Sequence, residues 1–377
     1  MPPIPAPNRL AILASSLSVG GIGRNCSRLA NALVEKNIPV DMVFCDESPY
    51  LEQLDPRVRR VRVATTNLLT GIIPLARYLR RHRPAVMLTN RLREDLVALR
   101  ARRVAQVSTR VATVVHTVLS QWLTDLSETK RNSNIKRLRR ALPATDTVIA
   151  VSDSVAEDAA HLLDWPAERI LALPNPIVTA EVARLAAEPT GHPWFAESHP
   201  PVILSAGRLD PAKGFDTLLH AFARVRRARP CRLVILGEGT ERATLEALAQ
   251  QLGIAADVDL PGFRDNPYAF MSRARVFVSA SRWEGLGNAL IEAMCLGRPV
   301  VATDCGGPRE ILQGGGIAPL VPIDDESALA DALVSVMDNP PSPDTLTSAS
   351  ARYSVEQSAE AYIEALGLRA VADDTGD

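Results

Sequence analysis

Short β-branched and aliphatic runs recur along the chain, separated by segments long enough for a helix: Leu10–Ala14, Val40–Phe44, Val58–Val63, Val86–Thr89, Val111–His116 and Thr147–Val151. Such alternation is the pattern of parallel βαβ units. A second series follows a loose stretch, with strands predicted at Val202–Ala206, Arg232–Leu236, Val258–Leu260, Val276–Ser279 and Val300–Thr303. The expected fold is therefore α/β, with two doubly wound domains at 1–178 and 201–352. The stretch between them, 179–200, carries Pro189, Gly191, Pro193 and Pro200 and reads as a linker. Near the end, apolar residues at helical spacing predict a helix over about 353–368, and the acidic segment 369–377 lacks a core-forming pattern and is expected to be disordered. In such sheets ligands bind beyond the carboxyl ends of the strands, so a cleft where two sets of strand ends face one another is the expected active site.

Composition agrees with two ordinary globular cores: 377 residues, 46% hydrophobic and 23% charged. Five scattered cysteines without a C-x-x-C pair exclude a zinc or dithiol motif and read as reduced, mostly buried thiols. The start of the chain lacks the pattern of a secretory signal, and no stretch approaches the roughly 18 apolar residues of a membrane span. The expectation is a cytoplasmic protein, at most peripheral on a membrane. Net charge is only −1, yet residues 1–180 hold 25 Lys+Arg against 16 Asp+Glu, and within 57–140 the balance is 20 against 4. An anionic partner is expected on that face, a membrane surface rather than nucleic acid. The apolar stretch Leu68–Leu79 ending in Arg80, Arg81 and Arg83 fits either a helix lying on an anionic bilayer or a core helix with a solvated basic end.

The densest chemical signal is the run from Trp283 to Met294. It places Glu284 in a glycine-containing loop, Asn288 at a helix start as the expected N-cap, and Glu292 one turn in. A helix N-terminus favours an anion such as a diphosphate, and Gly287, Asn288, Ala289 and Leu290 would line it. Two carboxylates beside a diphosphate repel it, so Glu284 and Glu292 must instead accept hydrogen bonds from hydroxyls. A nucleotide sugar has hydroxyls at both ends and a diphosphate between. After the first strand of the second domain, Arg208 and Lys213 can supply the positive charge, without a metal.

Other signals are weaker alone. Gly20 and Gly21 follow the first strand and open a helix, which fits a phosphate contact or a simple tight turn. His116 ends a strand where it would face the cleft, although a lone histidine is more often structural. Glu238 lies in a second glycine loop, and Gly262, Phe263 and Arg264 follow a strand where backbone groups could hold a nucleobase. Asp257-Val258-Asp259 formally matches the metal-binding D-x-D pattern, but strand alternation turns both acids to one face and Val258 inward. No metal and no bound cofactor are expected.

Together these segments resemble the retaining glycosyltransferases of family four, which have the GT-B fold of two facing Rossmann-like domains. Gly207-Arg208, Lys213-Gly214, Gly237-Glu238-Gly239, Gly262-Phe263, Glu284 with Glu292, and Gly306-Gly307-Pro308-Arg309-Glu310 stand in the family's order. The resemblance implies a diphosphate-binding pair at Arg208 and Lys213, a sugar-contacting acid at Glu284, a ribose-contacting acid at Glu292, a histidine near the donor sugar at His116 and a phosphate-approaching glycine at Gly21. It also implies transfer with retention, generally without a metal, from a nucleotide-diphosphate sugar, and a last helix that crosses back onto the first domain. The acceptors of similar enzymes point to a glycan or a polyprenyl-diphosphate-linked saccharide. The chain departs from many relatives at Gly23, where they carry glutamate, and resembles them little over Ala64–Arg140. A non-catalytic nucleotide-sugar scaffold, or an epimerase or phosphorylase of the same fold, is the alternative.

Overall fold

Thirteen strands appear in the computed structural model, which describes residues 8–15, 20–63, 70–124, 126–196 and 199–370. The contacts divide into two units, Met1–Pro176 with Val355–Asp377, and Ile177–Ser354. Residues 16–19 of the glycine-rich turn, the beginning of the Leu68–Leu79 stretch and nearly all of the expected acidic tail lie outside the described residues.

The first unit holds β1 (Leu10–Ala14), β2 (Val40–Phe44), β3 (Arg59–Arg62), β4 (Val86–Thr89), β5 (Arg110–Val115), β6 (Thr147–Ala150) and β7 (Ile170–Ala172). They form one parallel sheet in the order β3-β2-β1-β4-β5-β6-β7, with Leu10 of β1 opposite Val40 on one side and Val86 on the other. Every residue of β1, β2 and β4 is buried, as a sheet covered on both faces requires. Asp41 interrupts the apolar run of β2 and is tolerated because Arg9 at 2.7 Å, Arg59 at 3.0 Å and the Tyr78 hydroxyl at 2.6 Å all donate to it. The last helix, Val355–Leu366, belongs to this unit. Its buried Val355, Ser358, Ala359, Tyr362 and Leu366 make one stripe at helical spacing, and Glu360 meets Lys36 at 2.7 Å at the end of helix Gly21–Glu35.

The second unit holds β8 (Val202–Ala206), β9 (Arg232–Leu236), β10 (Val258–Gly262), β11 (Val276–Ser279), β12 (Val300–Thr303) and β13 (Leu320–Val321), all parallel, in the order β10-β9-β8-β11-β12-β13. Phe222, Leu233, Ile235, Val276 and Leu333 are completely enclosed in its core. Each such side chain contributes about 1.5–3 kcal/mol by leaving water. Strands β7 and β13 carry no sequence signal: both are sheet edges of three residues or fewer, too short to show a period.

One sequence expectation needs correction, and one open alternative is decided. Of the supposed linker 179–200, the described residues up to 196 hold a helix and a short turn and are built into the second unit. Thr179 caps helix Ala180–Ala186 through the Val182 amide, and Asn266, Ser272 and Arg273 donate to the carbonyls of Leu185 and Ala186 at that helix's end. His192 bonds Asp259 at 2.8 Å amid edge-on contacts to Trp194, Phe195 and Phe270. Pro193 opens the short turn Pro193–Phe195 there. In the first unit, helix Ile72–His82 buries Leu75, Ala76, Tyr78 and Leu79, and Arg80 donates to the carbonyl of Val104 at 2.9 Å, capping the neighbouring helix. This is the core helix of the two alternatives, with Ile73 its one large exposed hydrophobic among the described residues.

Both strand orders reverse direction at one place, between β1 and β4 in the first sheet and between β8 and β11 in the second. In open α/β sheets the ligand crevice lies outside the carboxyl ends of such neighbours.

Candidate functional site

In the second unit the two loops at the switch point meet through opposite charges. After β8 the chain makes a short turn, Pro211–Lys213, then passes through Gly214 (φ 58°) into helix Phe215–Ala228. A side chain at Gly214 would place its Cβ 2.1 Å from the Ala280 carbonyl, so only glycine lets the β8 loop lie against the loop after β11. That contact brings the Lys213 ammonium onto the Glu284 carboxylate as an ion pair, and Ser281 Oγ donates to the same oxygen at 3.0 Å. Arg208, at the other end of the β8 loop, is exposed, with only a loose 3.6 Å approach to Asp210. Burial pushes the Asp210 carboxyl up, against the pull of Arg208 and Lys213, and its Oδ1 has no partner among the described residues.

Glu284 leads into helix Asn288–Cys295. The N-cap is Gly287, at φ 101°, and not Asn288, which is the first helical residue; with no side chain to cap it, the helix head is a place for an anion. Glu292 sits one turn in, 5% exposed, and accepts a hydrogen bond from the enclosed Tyr268 hydroxyl at 2.9 Å. Leu290 has least to offer a ligand: its side chain is in the core and its amide donates to the Gly287 carbonyl. Ala289 and Asn288 are half-buried at the helix head.

The neighbouring loops are packed backbone to backbone. A Cβ at Gly237 would lie 1.8 Å from the Gly207 carbonyl, and the Gly237 amide donates to the Gly262 carbonyl at 3.0 Å, which ties the ends of β8, β9 and β10 together. Phe263 and Arg264 project from this edge, exposed. Glu238 is engaged by Arg242 through two hydrogen bonds of 2.9 and 2.7 Å, so a ligand there would have to compete with a guanidinium. Both acids of the D-x-D pattern are held by cations or imidazole: Asp257, in the turn before β10, by Arg226 at 2.7 Å and by Arg232, and Asp259 by His192.

The first unit presents different chemistry. Gly20 and Gly21 are exposed at the head of helix Gly21–Glu35, again without a side-chain cap. His116, half-buried just past β5, has its Nε2 3.0 Å from Asn90 Oδ1. Burial and the nearby Arg91 push the imidazole down to about 4, so it is neutral at physiological pH. Around it lie two enclosed acids. Glu94 accepts from the Ser15 amide (2.9 Å), the Ser15 hydroxyl (2.5 Å) and the Asn90 amide (2.9 Å), and Asp95 from Thr89 (2.6 Å) and Thr113 (2.8 Å). Burial lifts the Asp95 carboxyl to about 7.

The model of the family described as Glycosyl transferases group 1 matches residues 193–353, and that of Glycosyltransferase Family 4 matches residues 19–181. The chain belongs to this glycosyltransferase family. Among curated relatives of the family, it is 33% identical over 193 residues to the lipopolysaccharide core biosynthesis glycosyltransferase LpsE of Rhizobium meliloti, covering 51% of this chain and 54% of that one. It is 38% identical over 138 residues, 36% of this chain and 37% of the other, to a Campylobacter jejuni enzyme, N-acetylgalactosamine-N,N'-diacetylbacillosaminyl-diphospho-undecaprenol 4-alpha-N-acetylgalactosaminyltransferase. The chain thus spans about half the length, or less, of these curated relatives. The structure of Anabaena HepE in complex with UDP-glucose superposes with a TM-score of 0.76 at 19% identity, covering 95% of this chain and 99% of that one, and so shares the GT-B fold.

Residues of this family member that sequence reasoning missed are those acting through others. Tyr268 is 24 positions from Glu292, and Ser281 three from Glu284; only the second spacing is visible in sequence, as a serine ahead of an acid in one loop. Asn90 and Glu94 had a signal too, since both closely follow a predicted strand.

Proposed function

We propose that the chain transfers a sugar from a nucleotide-diphosphate sugar, with UDP as the first choice of nucleotide, to a glycan or lipid-linked saccharide in cell-surface polysaccharide synthesis, with retention of anomeric configuration. One observation carries this reading: at the switch point of the second sheet, Lys213 and Glu284 pair beside an uncapped helix head that also bears the buried Glu292. A diphosphate competes for Lys213 and Arg208 and for the helix head, while sugar and ribose hydroxyls take Glu284 and Glu292 as acceptors. As the bond from the anomeric carbon to the phosphate oxygen breaks, these cations hold the leaving charge, and no metal is required. The acceptor oxygen bonds to that carbon on the face the diphosphate leaves, and its proton passes to the departing phosphate. His116, in the first unit, accepts a hydrogen bond from a substrate hydroxyl.

The nucleotide and acceptor classes draw support from relatives: HepE is solved with UDP-glucose, and the two curated relatives are named for lipopolysaccharide core and undecaprenol-diphosphate-linked saccharides. Among the described residues no helix is long and apolar enough to cross a membrane. Any membrane contact would be electrostatic, through exposed cations such as Lys136, Arg137 and Arg140 on helix Glu128–Ala141. Thermal shifts across a panel of UDP, GDP and ADP sugars test the donor, since a ligand at 100 times its Kd stabilises the fold by about 2.7 kcal/mol. A UDP sugar should give the largest shift, and no shift with any of them would reject the reading. Turnover should persist in EDTA, and the product's anomeric configuration, read by NMR, should match the donor's.

A further inference from the structure

The loop after β4 contains a side chain whose hydrogen bonds can be satisfied in only one way. Asn90, 6% exposed, has its Nδ2 3.3 Å from the Leu13 carbonyl at the end of β1 and its Oδ1 3.0 Å from His116 Nε2. A backbone carbonyl only accepts, so the amide must turn its NH2 to Leu13 and its oxygen to the histidine. That oxygen only accepts as well, so Nε2 must carry the hydrogen. A neutral imidazole has one N–H, which leaves Nδ1 bare. Asn90 is itself pinned: its backbone N–H donates to Glu94 Oε2, and Glu94 Oε1 is gripped by the backbone N–H and hydroxyl of Ser15, just past β1.

We infer that Asn90 is a positioning residue that locks His116 in the Nε2–H tautomer, so that the ring serves as a hydrogen-bond acceptor through Nδ1 and never as a donor there. The assignment rests on the reading of His116 as a substrate-facing group, and adds to it a direction: the substrate's hydroxyl must donate. The groups around the pair reinforce this. Arg91 disfavours a second proton on the ring, and Glu94 faces the Asn90 backbone rather than the imidazole. Cys26, on helix Gly21–Glu35, contacts the Asn90 side chain with its thiol pushed up to about 12, and so brings no charge.

Nitrogen NMR of the full chain labelled at histidine tests this directly, with His116 assigned by the signal lost in His116→Gln. The expected wild-type spectrum is that of Nε2–H with bare Nδ1 at neutral pH, changing to a tautomer mixture in Asn90→Ala. The opposite tautomer, or one unmoved by Asn90→Ala, overturns the inference. Asn90→Asp is nearly isosteric and guards against misfolding of the alanine variant: a carboxylate facing Nε2–H should raise the ring's titration midpoint above wild type, and an unchanged midpoint also counts against the lock. Activity judges the other reading separately. His116→Gln should lose roughly tenfold in kcat/KM, as for one lost hydrogen bond. Full activity would overturn the substrate-facing role while the spectrum still decided the tautomer.

Discussion

The two sheets reverse strand order in the same way, yet their switch points are furnished in opposite styles. In the first, the polar groups are enclosed and bind one another: Glu94 ties β1 to the β4 loop, Asp95 takes two strand threonines, and His116 is neutral. In the second, the groups are charged and partly open, Lys213 resting on Glu284 with Arg208 exposed beside them. One crevice has its hydrogen bonding settled before any ligand arrives, and the other holds charge that a ligand can redirect. An anion gains most where cations are not already buried in permanent partners, which is why the diphosphate is assigned to the second unit.

The sharpest way to break this contrast is to remove the redirected charge. Lys213→Ala should lower kcat/KM by roughly 10²–10³, the scale seen when one group stabilising a developing anion is deleted. It should also abolish most of the thermal shift with nucleotide sugars; normal turnover would mean that the diphosphate sits elsewhere.

Enclosed Asp95 and half-buried His116 of the first unit predict pH effects of opposite sign. Asp95 titrates at about 7 in the folded chain against roughly 3.9 unfolded, so its contribution to stability is full below about pH 4 and is lost as pH rises through 7. His116 titrates at about 4 folded against roughly 6.5 unfolded, so its contribution is full above pH 6.5 and is lost as pH falls through 4. Relative to wild type, Asp95→Asn should therefore gain stability toward high pH, by up to about 1.4 kcal/mol per pH unit, and His116→Gln toward low pH. Denaturant titrations between pH 4 and 8 measure both, and curves parallel to wild type would remove the enclosed character claimed for this crevice.

The same contrast governs what can be read in the sequence. Strands such as β1, β2, β8 and β12 are legible to the residue because each is an apolar run buried on both faces or nearly so. The loops that bear Arg208, Lys213 and Glu284, and the helix that bears Glu292, are legible because glycines mark the turns after predicted strands. The first unit's network is not, since Ser15 and Glu94 are 79 positions apart and meet only once β1 lies beside β4. The segment 179–200 misleads for a local reason: its prolines suggest a loose chain, whereas Thr179 ahead of Ala180-Glu181-Val182 is a helix start in plain view.

A smaller effect belongs to Tyr268. Its hydroxyl holds Glu292 within the second unit's otherwise open site, so Tyr268→Phe should raise the donor KM several-fold with little change in kcat, consistent with about 1 kcal/mol for one hydrogen bond. An equal fall in kcat would place Glu292 in the chemical step instead of in binding.

The smallest predicted effect has the most telling sign. If Glu284 holds Lys213 until a ligand arrives, part of the binding energy of any diphosphate goes into separating that pair. Glu284→Gln removes the competitor while retaining a hydrogen-bonding side chain near Ser281. Free UDP should then bind a few-fold more tightly, within the roughly 0–1 kcal/mol typical of a solvent-accessible ion pair, even as sugar transfer slows because the hydroxyl acceptor is weakened. Calorimetry with UDP and with the intact nucleotide sugar separates the two effects. Tighter nucleotide binding with slower transfer is the signature of a charge shared between resting and working partners. Weaker UDP binding would show that Glu284 orients Lys213 for phosphate rather than competing for it, and the second crevice would then be as settled in advance as the first.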